Sequence, residues 1–123
     1  MGSTDRHLVI STSNDLVRIA ADCIVYIKAD GNYSTLIQTN GDKRMLTHQL
    51  GQIEKLIDTQ LGVEKRVFIR IGKSLIINRS YIYYINVSRQ KLILSDTRTF
   101  SHQVEASKEA LKQLKELLDK ETK

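Results

Sequence analysis

The 123-residue chain has no proline, a single cysteine and three histidines. Without proline, its turns must be built from glycine, asparagine, aspartate and serine. The lone Cys23 cannot form an intramolecular disulfide, and its place in the apolar run Cys23-Ile24-Val25-Tyr26-Ile27 predicts a buried structural thiol. His7, His48 and His102 lie far apart, and no His or Cys pair stands at metal-ligand spacing, which argues against a structural zinc site. No apolar run approaches membrane-spanning length, and the start lacks a basic region followed by a long apolar stretch; the expected compartment is the cytoplasm. Catalytic signatures are missing too. No nucleophile sits in a Gly-x-Ser-x-Gly setting, and the scattered glycines write neither a phosphate loop nor a dinucleotide fingerprint, so neither an enzyme nor a cofactor is expected. Asp30-Gly31-Asn32-Tyr33-Ser34 opens like a calcium loop, but the sixth and twelfth positions, which need Gly and Glu, hold Thr35 and Gly41.

What the chain does have is charge of one sign in one place. Lys65, Arg66, Arg70, Lys73, Arg79, Arg89, Lys91 and Arg98 stand against the single acid Asp96 between residues 65 and 98, a surplus of +7 in a chain whose net charge is +5. The remainder is slightly acidic. A basic stretch of this kind predicts a polyanion partner, with nucleic acid the first candidate.

Hydrophobic residues make up 41% of the chain, enough for one domain with its own core over residues 7–121 behind a flexible N-terminal segment of residues 1–6. Short runs rich in Ile, Val, Tyr and Thr recur at 7–11, 16–19, 23–28, 33–39, 43–46, 67–71, 75–77, 82–87 and 91–95, each bounded by turn residues, and these predict strands. Asn40-Gly41 predicts a type I′ hairpin turn, and Ser88-Arg89-Gln90 a second hairpin. Helical spacing appears twice. Leu50, Ile53, Leu56 and Ile57 predict a short helix over 47–59 with Thr47 as its cap and Gly62 past its end, and the stripe from Ala106 to Leu118 predicts a terminal helix over about 102–121 capped by Ser101. Alternation in Tyr81-Ile82-Tyr83-Tyr84-Ile85 predicts a strand packed in the core, and Asn78 suits the turn before it. The fold class is mainly β with two helices.

Two apolar strands flank Ile71-Gly72-Lys73-Ser74, a corner where a cation, a hydroxyl and accessible backbone meet. Lys73 can reach a base edge or a phosphate there, with Ser74 and Arg70 beside it. Taken alone, the same corner also fits a hairpin with a solvated Lys and Arg.

The motif Phe-x-Arg-x-x-Lys-Ser-x-x-x-Asn at Phe68 to Asn78, preceded by Tyr26-Ile27-Lys28-Ala29-Asp30-Gly31-Asn32-Tyr33-Ser34, resembles the LytTR DNA-binding domain of bacterial transcriptional regulators. The motif order is also similar: a hairpin, a short helix, the Phe-x-Arg motif, Asn78-Arg79-Ser80-Tyr81-Ile82, a Lys-Leu-x-Leu strand and a final Ser-led helix, covering roughly residues 16–118. The resemblance implies an arrangement of small antiparallel sheets that inserts loops into DNA. It implies base contacts from Ser34, Lys73 and His102, and backbone or supporting contacts from Asn32, Tyr33, Thr35, Arg70, Ser74, Arg79, Ser101 and Gln103. His102 would stand near a phosphate with its charge poised close to neutral pH; without the resemblance it reads as an exposed residue in a first helical turn. The chain departs from the family pattern at Gly72, where His or Cys is common, and at His102-Gln103, where basic residues are common. Double-stranded DNA with repeated sites, two copies of the domain per site and a receiver domain in the full-length chain are further implications. A single-strand nucleic-acid binder and a β-rich protein-interaction module with a basic face are the alternatives the residues leave open.

Overall fold

The computed structural model describes residues 7–122, so the expected flexible segment 1–6 lies outside the described residues. Ten strands and two helices are described: β1 (His7–Ser11), β2 (Leu16–Ala20), β3 (Ile24–Asp30), β4 (Tyr33–Gln38), β5 (Lys43–Leu46), α1 (Leu50–Gln60), β6 (Phe68–Ile71), β7 (Leu75–Asn78), β8 (Ile82–Asn86), β9 (Lys91–Ser95), β10 (Ser101–Glu105) and α2 (Lys108–Glu121). The strands form three antiparallel sheets, ordered β1-β2, β5-β4-β3-β7-β6 and β10-β9-β8.

The five-stranded sheet is covered on both faces over most of its area, because its central strands β3, β4 and β7 send apolar residues both ways. Ile27, Leu36, Leu46 and Ile76 pack with Leu50, Ile53 and Ile57 of α1 and with Leu8, Ile10 and Ile19 of β1-β2. Val25, Ile37, Ile71, Leu75 and Ile77 face the other way, onto Leu92, Leu94 and Val104 of the three-stranded sheet and Ala110, Leu111 and Leu114 of α2. Register enforces this division. Tyr26 pairs with Ile37 and Ile77, while Ile27 pairs with Leu36 and Ile76, so a one-residue slip would exchange the faces.

Several elements differ from the sequence-based expectation, each for a local reason. Helix α1 is capped at Gln49 rather than Thr47: the Gln49 N–H donates to the Gln52 Oε1 at 2.8 Å. The preceding residues are held against the sheet, because the Ser34 hydroxyl donates to the His48 carbonyl (2.8 Å) and the Gln49 amide donates to Asn32 Oδ1 (3.2 Å). The terminal helix begins at Lys108, where the Ser107 Oγ accepts the Ala110 N–H at 3.1 Å, and Ser101 is not its cap. Residues 101–105 are a strand because His102 and Val104 alternate inward and pair with Leu94 and Leu92. The hairpin at Asn40-Gly41 forms, but only Gly41 has positive φ (92°), and the Thr39 N–H bonds the Cys23 carbonyl, which lengthens the loop beyond a two-residue type I′ turn. A register shift between Ile82 and Tyr84 breaks the alternation of β8 and leaves Tyr83 and Tyr84 exposed rather than in the core. Cys23 is half-buried.

Candidate nucleic-acid interface

The β6-β7 corner closes one end of the five-stranded sheet. Gly72 takes φ +60°, a conformation glycine adopts without cost, and Lys73 and Ser74 complete the turn, exposed. The Ala29 N–H donates to the Ser74 carbonyl at 2.8 Å, so the corner is tied to the end of β3. Next along the sheet, the β3-β4 turn presents Asn32 and Tyr33, with Tyr33 opposite Asp30. At about 4.8 Å per strand, Tyr33 and the Lys73 corner lie about 10 Å apart across β3. The turn that carries Asn32 and Tyr33 and the corner that carries Lys73 and Ser74 therefore meet at one end of the sheet.

Which side chains face outward there follows from alternation. Tyr33 is 47% exposed and shares a face with Thr35, Lys28 and Met45, because Thr35 pairs with Lys28 and with Met45. Ser34 points to the opposite face, is 0% exposed and spends its hydroxyl on His48. The expected base contact from Ser34 is corrected on this ground: its side chain belongs to the core, and Tyr33 is the outward residue of that turn. Ser34→Ala is expected to cost about 1 kcal/mol of stability, read from a denaturant midpoint, while leaving DNA sequence preference unchanged.

His102 sits on the same face of the sheet, but farther along it. Its ring centroid is 5.9 Å from that of Tyr26 and 5.7 Å from that of Phe100. Tyr26 is four residues from Asp30, about 13 Å along the strand, so His102 stands apart from the Lys73 corner. Burial of the ring, and then the charge of Lys43, hold its pKa below the usual histidine value. Both effects disfavour the charged imidazole in the domain without DNA. Ser101 and Gln103 alternate to the exposed side of β10, away from His102.

Arg70 and Arg79 also differ from expectation. The Arg70 guanidinium donates through Nη1 to Glu54 Oε1 of α1 (2.8 Å) and through Nη2 to the Lys73 carbonyl (3.1 Å). Arg79, past the far end of β7, is paired with Glu121 of α2. Lys65 pairs with Asp58 at 3.1 Å. Three members of the basic stretch are thus matched by acids from outside it, and the stretch does not form one surface.

The exposed cations nearest the corner come largely from elsewhere. Lys28 lies on the same face as Tyr33 and close to the turn, since it pairs with Thr35; Lys43 shares that face but pairs with Ile37, level with Tyr26 and His102 and so about 13 Å along the sheet from the turn. Lys108 stands in the first turn of α2, and a Cβ at Gly72 would lie 3.7 Å from that of Ala110, which places this helix start beside the corner. The β8-β9 loop reaches the same region, because the Gln90 amide donates to the Ala106 carbonyl at 3.3 Å, bringing Arg89 close. Among the described residues, no ion pair engages Lys28, Lys43, Lys73 or Lys108. Period-two alternation within 24–30, combined with the hairpin register, was the signal that could have singled out Lys28 and Lys43; Lys108 needed the correct helix start.

One open cleft, of about 780 Å³, runs past Asp22, Cys23, Tyr81, Asp96 and His102. No cluster of metal-ligating side chains occurs among the described residues, and no described helix is long and apolar enough to cross a membrane.

The chain has no match among curated proteins. Among solved structures, it is similar to the LytTr DNA-binding domain of a putative methyl-accepting/DNA response regulator from Bacillus cereus, with a TM-score of 0.64 and 17% identity over 92% of this chain and 96% of that one. That likeness reaches the mainly β fold with its two helices. Residues 14–119, from just before β2 to near the end of α2 and so without β1, match the family of the LytTr DNA-binding domain, and the chain belongs to that family.

Proposed function

We propose that this domain binds double-stranded DNA in a sequence-specific manner, as the effector of a bacterial transcriptional regulator of the response-regulator type. The observation that carries the reading is the end of the five-stranded sheet. There Tyr33 and Lys73 project from adjacent turns, Ser74 adds a hydroxyl, and Lys28 and Lys108 flank them, with Lys43 farther along the same face; none of these lysines has an ion-pair partner among the described residues. Projecting turns about 10 Å apart fit within a major groove about 12 Å wide. Lys73 reads a base edge as a donor, and Tyr33 supplies a phenol that can donate to a base or phosphate. Lys28, Lys43 and Lys108 contact phosphates and set register without reading sequence. Lys108 is helped by its place at a helix start, where free backbone N–H groups favour an anion. His102, packed edge-on against Tyr26, contributes by holding the β10 edge against the sheet. A receiver domain in the full-length chain would supply the input, and two copies on repeated half-sites would extend the recognised sequence.

Selection of bound duplexes from a random pool, followed by binding of the winner and a scrambled control at two salt concentrations, tests this. A short repeated motif with clear preference is expected. Weak, salt-sensitive binding without a motif would reduce the lysine face to a general polyanion surface. Lys73→Ala is expected to lower the ratio of specific to nonspecific affinity about tenfold, since one good base contact discriminates by about 1–3 kcal/mol. An unchanged ratio would remove Lys73 from the base-reading set.

A further inference from the structure

We infer that Glu54 on α1 is a positioning residue for DNA reading, acting through Arg70 on the backbone of Lys73. The inference rests on the proposed DNA-reading role of the β6-β7 corner and adds to it a residue remote from the DNA-facing surface. Arg70 lies on the face of β6 that meets α1, since it pairs with Ile76 of the α1-side core, whereas the exposed lysines Lys28 and Lys43 lie on the other face. Its guanidinium is used twice, on Glu54 Oε1 at 2.8 Å and on the Lys73 carbonyl at 3.1 Å, and its side chain is only 28% exposed. An arginine engaged in this way is not presenting its charge to a phosphate. It bridges the helix to the peptide of the residue that reaches the base.

The corner needs such a brace. Ile71 and Leu75 close the pair across it, leaving Gly72, Lys73 and Ser74 in the turn. Gly72 is free to sample many backbone conformations. Ser74 is held by Ala29, but the Lys73 peptide has the Arg70 contact as its only described hydrogen bond. With Glu54 in place, the guanidinium is anchored at one end and fixes the Lys73 carbonyl at the other, so the direction of the Lys73 side chain is set before DNA arrives. Without Glu54, Arg70 loses its anchor and no longer holds the Lys73 carbonyl, and the corner must be ordered during binding at a cost to the specific complex.

Electrostatics alone makes the opposite forecast, which gives the test its power. Removing a carboxylate from a protein that binds a polyanion raises affinity for any DNA. In the positioning account, Glu54→Gln tightens nonspecific binding slightly, yet lowers the ratio of specific to nonspecific affinity about threefold to tenfold, with the salt dependence of specific binding unchanged because no phosphate contact is lost. The charge control is Glu116→Gln on the exposed side of α2, which removes the same charge and should leave the ratio alone. Arg70→Lys is the second variant: lysine keeps a charge for a phosphate but cannot bridge Glu54 and the Lys73 carbonyl together, so the ratio should fall again.

The experiment is fluorescence anisotropy on the selected duplex and its scrambled form, with the melting temperature of each variant recorded so that only folded protein is compared. A fall in the ratio for Glu54→Gln and Arg70→Lys, with Glu116→Gln unaffected, is the expected result. A wild-type domain that prefers the selected duplex, with Glu54→Gln keeping the same ratio, overturns the positioning role and leaves the DNA-reading proposal standing. A wild-type domain without preference overturns both. If Glu54→Gln does not fold, Arg70→Lys decides alone, and an unchanged ratio there overturns the inference.

Discussion

Asn78→Leu is expected to lower the unfolding free energy by about 3 kcal/mol, a large part of the total for a domain of this size. Asn78 ends β7 and is 1% exposed. Its Nδ2 donates to the Ile24 carbonyl at 2.9 Å and, in a longer contact of 3.5 Å, to that of Ala21, and its Oδ1 accepts the Ser80 N–H at 2.9 Å. One side chain thus joins the turn before β3, the end of β7 and the turn before β8. Leucine fills similar volume and cannot satisfy any of these groups, so the buried bond to the Ile24 carbonyl and the brace on the Ser80 N–H are both lost. Asn78→Asp keeps the acceptor for Ser80, but it turns the donor facing two carbonyls into an oxygen and adds a buried charge; it should be at least as damaging. Urea unfolding decides the matter through a lower midpoint with an unchanged slope. The folded fraction should still prefer the same DNA, because Asn78 lies at the end of β7 remote from Lys73. A midpoint within error of wild type would mean that water replaces the side chain and that this junction is looser than its hydrogen bonds imply.

The strands were legible wherever local pattern was sufficient. Lys43–Leu46 and Lys91–Ser95 have the expected bounds, because turn residues flank a short apolar run on each side. The terminal helix start was misread because Ser101 imitates a cap and because Ala106, half-buried beside α2, extends the apolar stripe backwards; pairing of residues 101–105 with β9 is a nonlocal fact that no helical window contains. Tyr83 and Tyr84 escaped for a similar reason, since one extra residue in β8 inverts the alternation after it. At the candidate site, motif order located both turns, but the side chain facing outward was displaced by one, from Tyr33 to Ser34. In a strand that single step exchanges solvent for core. The cations were hardest to read. Adjacency in sequence grouped Lys65, Arg70 and Arg79, each of which has an acid partner from another element, while pairing across β3, β4 and β5 grouped Lys28 with Lys43.

That regrouping leads to the prediction with the largest expected effect on binding. Reversing charge on the lysine face, with Lys28→Glu and Lys43→Glu together, should weaken binding to every duplex by about a hundredfold near 0.1 M salt. Each lost phosphate contact removes about 0.9 from the slope of log affinity against log salt, which at that concentration amounts to about eightfold. Two lost contacts give about sixtyfold, and the new carboxylates add repulsion. Lys65→Glu with Arg66→Glu makes the same change in net charge inside the stretch that looks most basic in the sequence. Those residues line the cleft on the α1 side of the sheet with Asp58 and Phe68, so their reversal should change affinity only severalfold through the long-range field. Titrating both double variants against one duplex at several salt concentrations separates the two accounts. A shallower salt slope for the Lys28 and Lys43 pair alone places the phosphates on the β3-β4-β5 face. Equal losses for both pairs would mean that net charge, not this face, governs binding, and the lysines of β3 and β5 would lose their assigned role.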